Sequence, residues 1–353
     1  MALIVVGYAL TDRRDVLREA WHLVLTYPGM LLATAGFACL VMVVVTSVRA
    51  ARRRLRYESW HLLHLYAYLG TGIALPHQIW TGADFVATPW ARAYWWSVYA
   101  ISLGSVLVWR VGVPVLRTVR HRLVVTRVDV EAPGVVSVHV GGRDLQRLPV
   151  RAGQFLQWRF LDGPGWTRAH PYSLSAQPTV DGLRITVKDL GDGSGRLASL
   201  RPGTRVVVEG PYGRLTEEVR TRRRVTLLSA GVGVTPLRAL LEDLDQGPGD
   251  VTLVYRSRGP QDVLFRDELD RLQQTHGARV VHVHGPRVTA RSSWMPQQAA
   301  HLTDAEGLLQ IVPDVAEHDV YVCGGPEWAE AAAQAARDAG VPARNVHLER
   351  FAW

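Results

Sequence analysis

Residues 227–241 read LLSAGVGVTPLRALL. An apolar, strand-like run enters Gly231-Val232-Gly233-Val234-Thr235-Pro236, and a helical pattern follows at once. Glycines at 231 and 233 let a diphosphate approach the backbone closely. A helix opening at Thr235 and Pro236 turns its free amides toward the same anion. The spacing is GxGxxP and departs from the common GxGxxG fingerprint, so a ligand-free strand–helix turn is the competing reading. The next strand-like run ends in VYRSRGPQD, which puts Arg256, Ser257 and Arg258 at its carboxyl edge. Basic and hydroxyl groups there suit a 2′-phosphate, whereas an acidic residue favours NAD, so the pattern leans to NADP over NAD.

Working outward, residues 224–353 alternate strand and helix patterns. RVTLLSA leads into PLRALLEDL, DVTLVYR into DVLFRDELDRL, and DVYVC into EWAEAAAQAARDAG. This alternation predicts a Rossmann-like parallel sheet with helices on both faces. The stretch GPRVTARSSWMPQQAA at 285–300 reads as a loop. Residues 123–215 are different: LVVTRVDV, GVVSVHV, FLQWRF, RITVK and RVVVE are short β-rich runs separated by APG, DGPG, DG and RPG turns. They predict an antiparallel β-barrel.

The first third is apolar. Met30–Val48, Trp60–Trp80 and Tyr94–Leu116 each approach the roughly 20 residues that a membrane span needs. Arg110, near the end of the third, is placed to snorkel. The net charge is +8, but the basic residues concentrate in RAARRRLR at 49–56 and RTVRHR at 117–122, beside the apolar segments. That placement argues against nucleic acid and for membrane topology, with the arginine-rich ends and everything after residue 117 cytoplasmic. Two cysteines, Cys39 and Cys323, argue against a disulfide framework. The expected architecture is multidomain: an α-helical membrane bundle over 1–118, a β-barrel over 119–220 and an α/β domain over 221–353.

The barrel region carries RAGQF at 151–155, RAHPYSLSA at 168–176, KDLGDGSG at 188–195 and VEGPYG at 208–213. HPYS sets an imidazole, an aromatic ring and a hydroxyl on one strand, able to line a flavin ring with the hydroxyl near N5. GDGSG, with Gly193 and Ser194 after Lys188, offers amides and a hydroxyl to a pyrophosphate. The chain ends HLERFAW, where Glu349 can reach toward such a ring and an aromatic end can shield it.

Taken together and in this order, RAGQF, HPYS, GPYG, GVGVTP, CGGP and ERFAW resemble a ferredoxin-reductase-type flavoprotein over about 120–353. The resemblance implies FAD and NADP (or NAD) as cofactors. Tyr172 stacks on the isoalloxazine, and Ser173 lies near N5. Cys323 and Gly324 sit beside the nicotinamide, Glu349 takes part in catalysis, and Phe351 or Trp353 approaches the ring. The soluble reductases carry R-x-Y-S where this chain has His170-Pro171-Tyr172-Ser173. That form resembles the ferric reductase and NADPH oxidase branch, and Arg168 substitutes for the lost charge.

The same branch is visible in the membrane segment. Arg52-Arg53-Arg54 with Tyr57-Glu58-x-Trp60-x-x-x-His64 resembles its second heme-binding helix. The resemblance makes His64 and His77 axial ligands of two stacked b-type hemes, about 20 Å apart at 1.5 Å per residue. Neutral imidazole is a good axial ligand for iron. His61 is a neighbour, and Pro76 is placed to distort the turn before His77. The resemblance also implies partner histidines on an earlier helix, of which residues 1–10 read as the tail. Either the start lies upstream of Met1 or the chain is degenerate, and the first is the favoured expectation.

The function so implied is a cell-membrane, multi-pass oxidoreductase with its flavin and nicotinamide domains cytoplasmic. It passes electrons from NADPH through FAD and heme b to an external small-molecule acceptor, ferric iron or dioxygen. The alternatives are a membrane-anchored FAD-dependent NAD(P)H reductase without functional heme, or a partial subunit needing a redox partner protein. Membrane lipid is an expected partner in each.

Overall fold

The computed structural model describes residues 2–13, 15–48, 57–82, 88–163, 168–191 and 193–350; of 2–4, 57–62 and 350 it describes the backbone alone. The chain forms two compact units, Met1–Val108 and Trp109–Trp353.

In the first unit, helices α1 (Ala2–Thr11), α2 (Val16–Thr26), α3 (Met30–Ser47), α4 (Tyr57–Thr81) and α5 (Pro89–Leu107) follow one another. Asp15 starts α2 by accepting from the amides of Leu17 (3.0 Å) and Arg18 (3.3 Å). The three predicted apolar segments all become helices. Among the described residues, two helices are long and apolar enough to cross a membrane: Met30–Ser47, with mean hydropathy 2.2, and Pro89–His121, with 1.6. The segment with the histidines forms α4, which runs unbroken through Pro76.

Helices α3 and α4 pack backbone against backbone. A Cβ on Gly36 would lie 2.4 Å from the Gly70 carbonyl oxygen, and one on Gly70 would lie 2.7 Å from that of Gly36. Paired small residues of this kind let apolar helices associate where there is no water to expel.

In the second unit, a π-turn at Val108–Gly112 leads into α6 (Val113–His121). Arg110 lies in that turn and, instead of snorkelling free, donates to the Glu209 carboxylate; Arg117 donates to the Gly210 carbonyl. Two antiparallel three-stranded sheets follow. One has the order β1 (Val124–Ala132), β2 (Val135–Gly141), β5 (Leu183–Lys188). The other has the order β4 (His170–Ser173), β3 (Phe155–Phe160), β6 (Val206–Tyr212). Single bridges, Val124 with Arg205 and Leu174 with Ile185, link the two sheets. Val138, Leu156, Trp158 and Ile185 fill the space between them.

The remaining strands form one parallel sheet, ordered β11 (Val346–Arg350), β10 (Asp319–Gly324), β7 (Val225–Ala230), β8 (Val251–Ser257), β9 (Arg279–His284). Alternate residues face opposite layers, as the two-residue period of a strand requires. Leu227, Tyr255, Tyr321 and Cys323 pack against α7 (Val234–Asp243) and α8 (Arg266–His276). Leu228, Val254, Val320 and Val322 pack against α9 (Asp304–Ile311) and α10 (Pro326–Asp338). Burial on both faces explains why these strands read as continuous apolar runs. The 285–300 segment is irregular as expected, apart from one short turn of helix, but it is anchored: Trp294 is buried and donates its indole N–H to Asp304 O.

Candidate active site

The strand–helix turn of the opening stretch sits where two parallel strands end. Gly231 has φ +53°, a conformation that disfavours a side chain. A Cβ on Gly233 would lie 2.3 Å from the Cys323 carbonyl oxygen, so only glycine lets the turn after β7 press against the end of β10. Thr235 and Pro236 are buried, and the Thr235 hydroxyl donates to Val232 O at 2.9 Å. These two residues shape the turn.

Cys323 lies beside this turn, wholly buried, and pairs in register with Glu349 on β11. Burial pushes its thiol well up, with the Glu349 carboxyl adding to the effect. Glu349 is half-buried, with its Oε2 shut off from solvent. Its Oε2 has no hydrogen-bond partner among the described residues, and burial pushes its pKa up to about 7. The carboxyl faces the GPYG turn: a Cβ on Gly213, where φ is +91°, would lie 3.3 Å from both carboxyl oxygens and 3.2 Å from the Phe155 ring. Phe155 stands in register with both Ser173 and Tyr212, and its ring lies 5.6 Å from that of Tyr212. Short links thus connect Ser173, Phe155, Gly213, Glu349 and Cys323, which lie far apart in sequence, from position 155 to position 349. Ser173 itself is buried at the end of β4.

In the HPYS strand, His170 and Tyr172 stack with ring centroids 5.9 Å apart and planes 15° apart. Tyr172 is 8% exposed; its carbonyl accepts from the Trp158 indole at 2.9 Å, and burial pushes its phenol up to about 12. Burial, helped by Arg168 and Arg196, lowers the His170 pKa and keeps the imidazole neutral. That ring rests against the glycine-rich loop: a Cβ on Gly193 would lie 2.2 Å from its Cε1. The Ser194 hydroxyl accepts from Leu190 N (2.8 Å) and donates to Gly191 O (3.0 Å), which fixes the loop. Arg168, Pro171 and Lys188 are exposed at the margins.

The reading of Arg256 as a phosphate contact needs correcting. Arg256 is buried, and its guanidinium is directed at the carbonyls of Ser257, Val283, Gly285 (2.8 Å) and Pro286 (3.1 Å). It ties the end of β8 to the loop after β9. Ser257 is also engaged, donating to Gly259 O at 2.9 Å and pairing with His284 Nδ1 at 2.7 Å. The exposed cations at this edge are Arg258 and Arg287. Sequence reading missed Arg287 and His284; the alternating VHVH at 281–284 was the available signal.

The membrane histidines are engaged as well. His64 Nε2 lies 3.0 Å from Ser47 Oγ. His77 uses Nδ1 toward Pro28 O (3.1 Å) and Thr81 Oγ1 (3.0 Å). A carbonyl on Nδ1 is how a ligating imidazole is commonly oriented, so His77 fits an iron ligand through Nε2. The His64 Nε2, by contrast, is within hydrogen-bond distance of a side-chain hydroxyl. Among the described residues no group of three or more His, Cys, Asp or Glu stands ready for a metal. Phe351, Trp353 and Arg52–Arg54 lie outside the described residues, as do the side chains of Tyr57, Glu58, Trp60 and His61.

The antiparallel sheets followed by the parallel sheet form a ferredoxin-reductase-like fold. Residues 227–334 match the oxidoreductase NAD-binding domain, and residues 1–75 match the ferric reductase like transmembrane component. The chain is thus similar to a ferric reductase-like transmembrane component at one end and to an oxidoreductase NAD-binding domain toward the other. It is 33% identical over 211 residues to the ferredoxin reductase component of 3-ketosteroid-9-alpha-monooxygenase from Mycolicibacterium smegmatis, covering 58% of this chain and 56% of that one. The chain thus spans little more than half the length of that relative. It is 29% identical to ferredoxin–NADP reductase B of Sorangium cellulosum, over 57% of this chain and 84% of the relative. In structure it is similar to the flavohem-like FAD/NAD-binding domain of nitric oxide dioxygenase from Vibrio cholerae. The TM-score is 0.52 at 24% identity, over 66% of this chain and 99% of that one.

Proposed function

We propose that this chain is an FAD-dependent NAD(P)H oxidoreductase that feeds electrons toward the membrane. The observation that carries the reading is the meeting of Cys323, the unpartnered Glu349 carboxyl and the Gly213 turn beside the Gly231–Gly233 turn. A half-buried carboxyl whose inner oxygen has no partner among the described residues, beside a bare-glycine turn, fits a cofactor edge better than a packed core, where such an oxygen is expensive. FAD, when bound, accepts a hydride and releases electrons singly. The chain's own residues do the rest. The Gly231–Gly233 amides hold the nucleotide diphosphate, and Gly193 with its Ser194-fixed loop holds the flavin pyrophosphate. Tyr172 and His170 line the ring, and Ser173 offers a hydroxyl at its edge. Cys323 supplies a small neutral wall, and Glu349 holds a proton near neutral pH. NADP preference then belongs to Arg258 and Arg287, with Arg256 shaping their loop.

In this reading residues 1–118 anchor the protein as several membrane spans, 119–220 carry FAD and 221–353 carry the nicotinamide nucleotide, both on the cytoplasmic side. The finer version sends electrons through b-type heme to external ferric iron or dioxygen, with His77 as the better-fitting ligand. The engagement of His64 Nε2 by Ser47 favours a second version. There, electrons pass without this chain's own heme to a partner protein, as the name of the Mycolicibacterium relative, a reductase component, suggests. Purified protein that retains FAD and reduces a soluble dye with NADPH supports the oxidoreductase reading; protein that binds neither refutes it. A heme absorption band lost in His77→Ala separates the two versions.

A further inference from the structure

A largely shielded polar cluster lies away from the groups just described and joins the antiparallel sheets to the helices of the parallel sheet. Its hub is Ser175, two residues beyond Ser173. The Ser175 carbonyl accepts from Arg184 Nη2 (2.8 Å) and from Arg238 Nη1 (3.2 Å). Its hydroxyl accepts from Arg184 Nε (3.1 Å) and from Thr186 Oγ1 (2.8 Å). Arg184, on β5, grips both oxygens of Glu268 on α8 at 2.8 Å each. Arg238, on α7, lies with Nε 2.9 Å from the same carboxylate and pairs with Glu242 at 2.6 Å. Glu242 in turn accepts from the Gln177 amide at 2.8 Å.

The cluster concentrates charge where the antiparallel sheets meet the helices of the parallel sheet. Arg238 is 6% exposed, and two cations share one carboxylate. Burial, with Arg184 beside it, lowers the pKa of Arg238. Burial alone would raise that of Glu268, but the hydrogen bond from Arg184 and the charge of Arg238 hold it below the usual carboxylate range. An apolar contact would join the same surfaces at least as stably, since buried ion pairs return little net stability. What such a cluster adds is direction: planar guanidinium forks fix both angle and separation.

We infer that the Arg184–Glu268–Arg238 cluster is a positioning device that fixes the strand bearing Ser173 against the helix opened by the Gly231–Gly233 turn, and so sets the approach of nicotinamide to flavin. The inference rests on the oxidoreductase reading above. Both ends of the device lie close in sequence to the site: Ser175 follows Ser173 by two residues, and Arg238 lies in the helix that starts at Val234. A small error in reacting distance costs far more in rate than in binding.

The test compares Glu268→Gln with the apolar triple variant Arg184→Met/Arg238→Met/Glu268→Met in the full-length protein. Glu268→Gln leaves Arg184 and the buried Arg238 without that carboxylate and lowers stability; the triple variant removes those three charges, leaves Glu242 on the Gln177 amide, and recovers part of it. In both, kcat for NADPH-driven dye reduction falls about tenfold or more while KM stays within about twofold. Hydrogen exchange at the Gln177 amide also speeds up about tenfold or more in both, a readout independent of turnover. A triple variant with wild-type kcat overturns the inference, and so does unchanged exchange at Gln177 or a rise in KM at constant kcat. Wild-type protein that fails to oxidise NADPH refutes the oxidoreductase reading instead, and the exchange measurement still decides whether the cluster holds the two parts.

Discussion

Replacing Glu349 by Gln should stabilise the protein at alkaline pH and leave it unchanged in acid. Glu349 is half-buried, its Oε2 is shut off from solvent without a partner among the described residues, and burial moves its pKa from the ordinary 4.5 to about 7. The folded state therefore holds the proton more tightly than the unfolded one. By linkage, the stability tied to that proton is intact below pH 4.5 and is lost as pH rises toward 7 and above. Between pH 5 and pH 8 those two values cost the wild type about 2–3 kcal/mol, which an uncharged glutamine of the same shape does not lose. For a unit of this size the difference amounts to about 5–10 °C in Tm. Thermal unfolding followed by tryptophan fluorescence at pH 5 and pH 8, in wild type and Glu349→Gln, measures it. Equal shifts at both pH values, or a variant less stable at pH 8, would refute the claim that this carboxyl is shielded and its Oε2 unpaired.

Three further outcomes follow from particular contacts. Gly233→Ala drives a Cβ into the Cys323 carbonyl, so KM for both NADPH and NADH should rise about tenfold or more, measured by steady-state dye reduction. Arg256→Ala removes a guanidinium that ties β8 to the 285–286 carbonyls and should cost about 2–4 kcal/mol of stability. Arg258→Ala should leave stability unchanged and raise KM for NADPH alone; a reversal of the two phenotypes restores the original reading of Arg256. Gly36→Leu wedges α3 from α4 at the Gly70 carbonyl and should weaken their association, seen as faster proteolysis in detergent, whereas Gly72→Ala, where a Cβ meets nothing, should not.

Much of this was legible in the chain because it depends on local pattern. The run into GVGVTP became β7, a turn and α7, since apolar strands buried on both faces and a helix opening after glycines leave a local trace. HPYS and GPYG became β4 and the end of β6 for the same reason. Side-chain destination was not legible. Arg256 has the residue type and position of a phosphate contact, yet its guanidinium folds back onto carbonyls some thirty residues on, and nothing local records that. The Arg184–Glu268 pair spans 84 residues and reads in sequence as two ordinary surface charges. The Gly36–Gly70 contact had a signal, small residues within apolar runs, but it gains meaning only once two helices are known to cross there.

The central claim is that Trp109–Trp353 carries a working flavin and nicotinamide site. The most direct measurement is anaerobic addition of NADPH to the purified protein while the flavin absorption band is followed. The account predicts that FAD remains with the protein, that one equivalent of NADPH bleaches its band, and that NADPH acts at lower concentration than NADH. Protein that holds no FAD after reconstitution, or bound FAD whose band NADPH leaves unchanged, would contradict it.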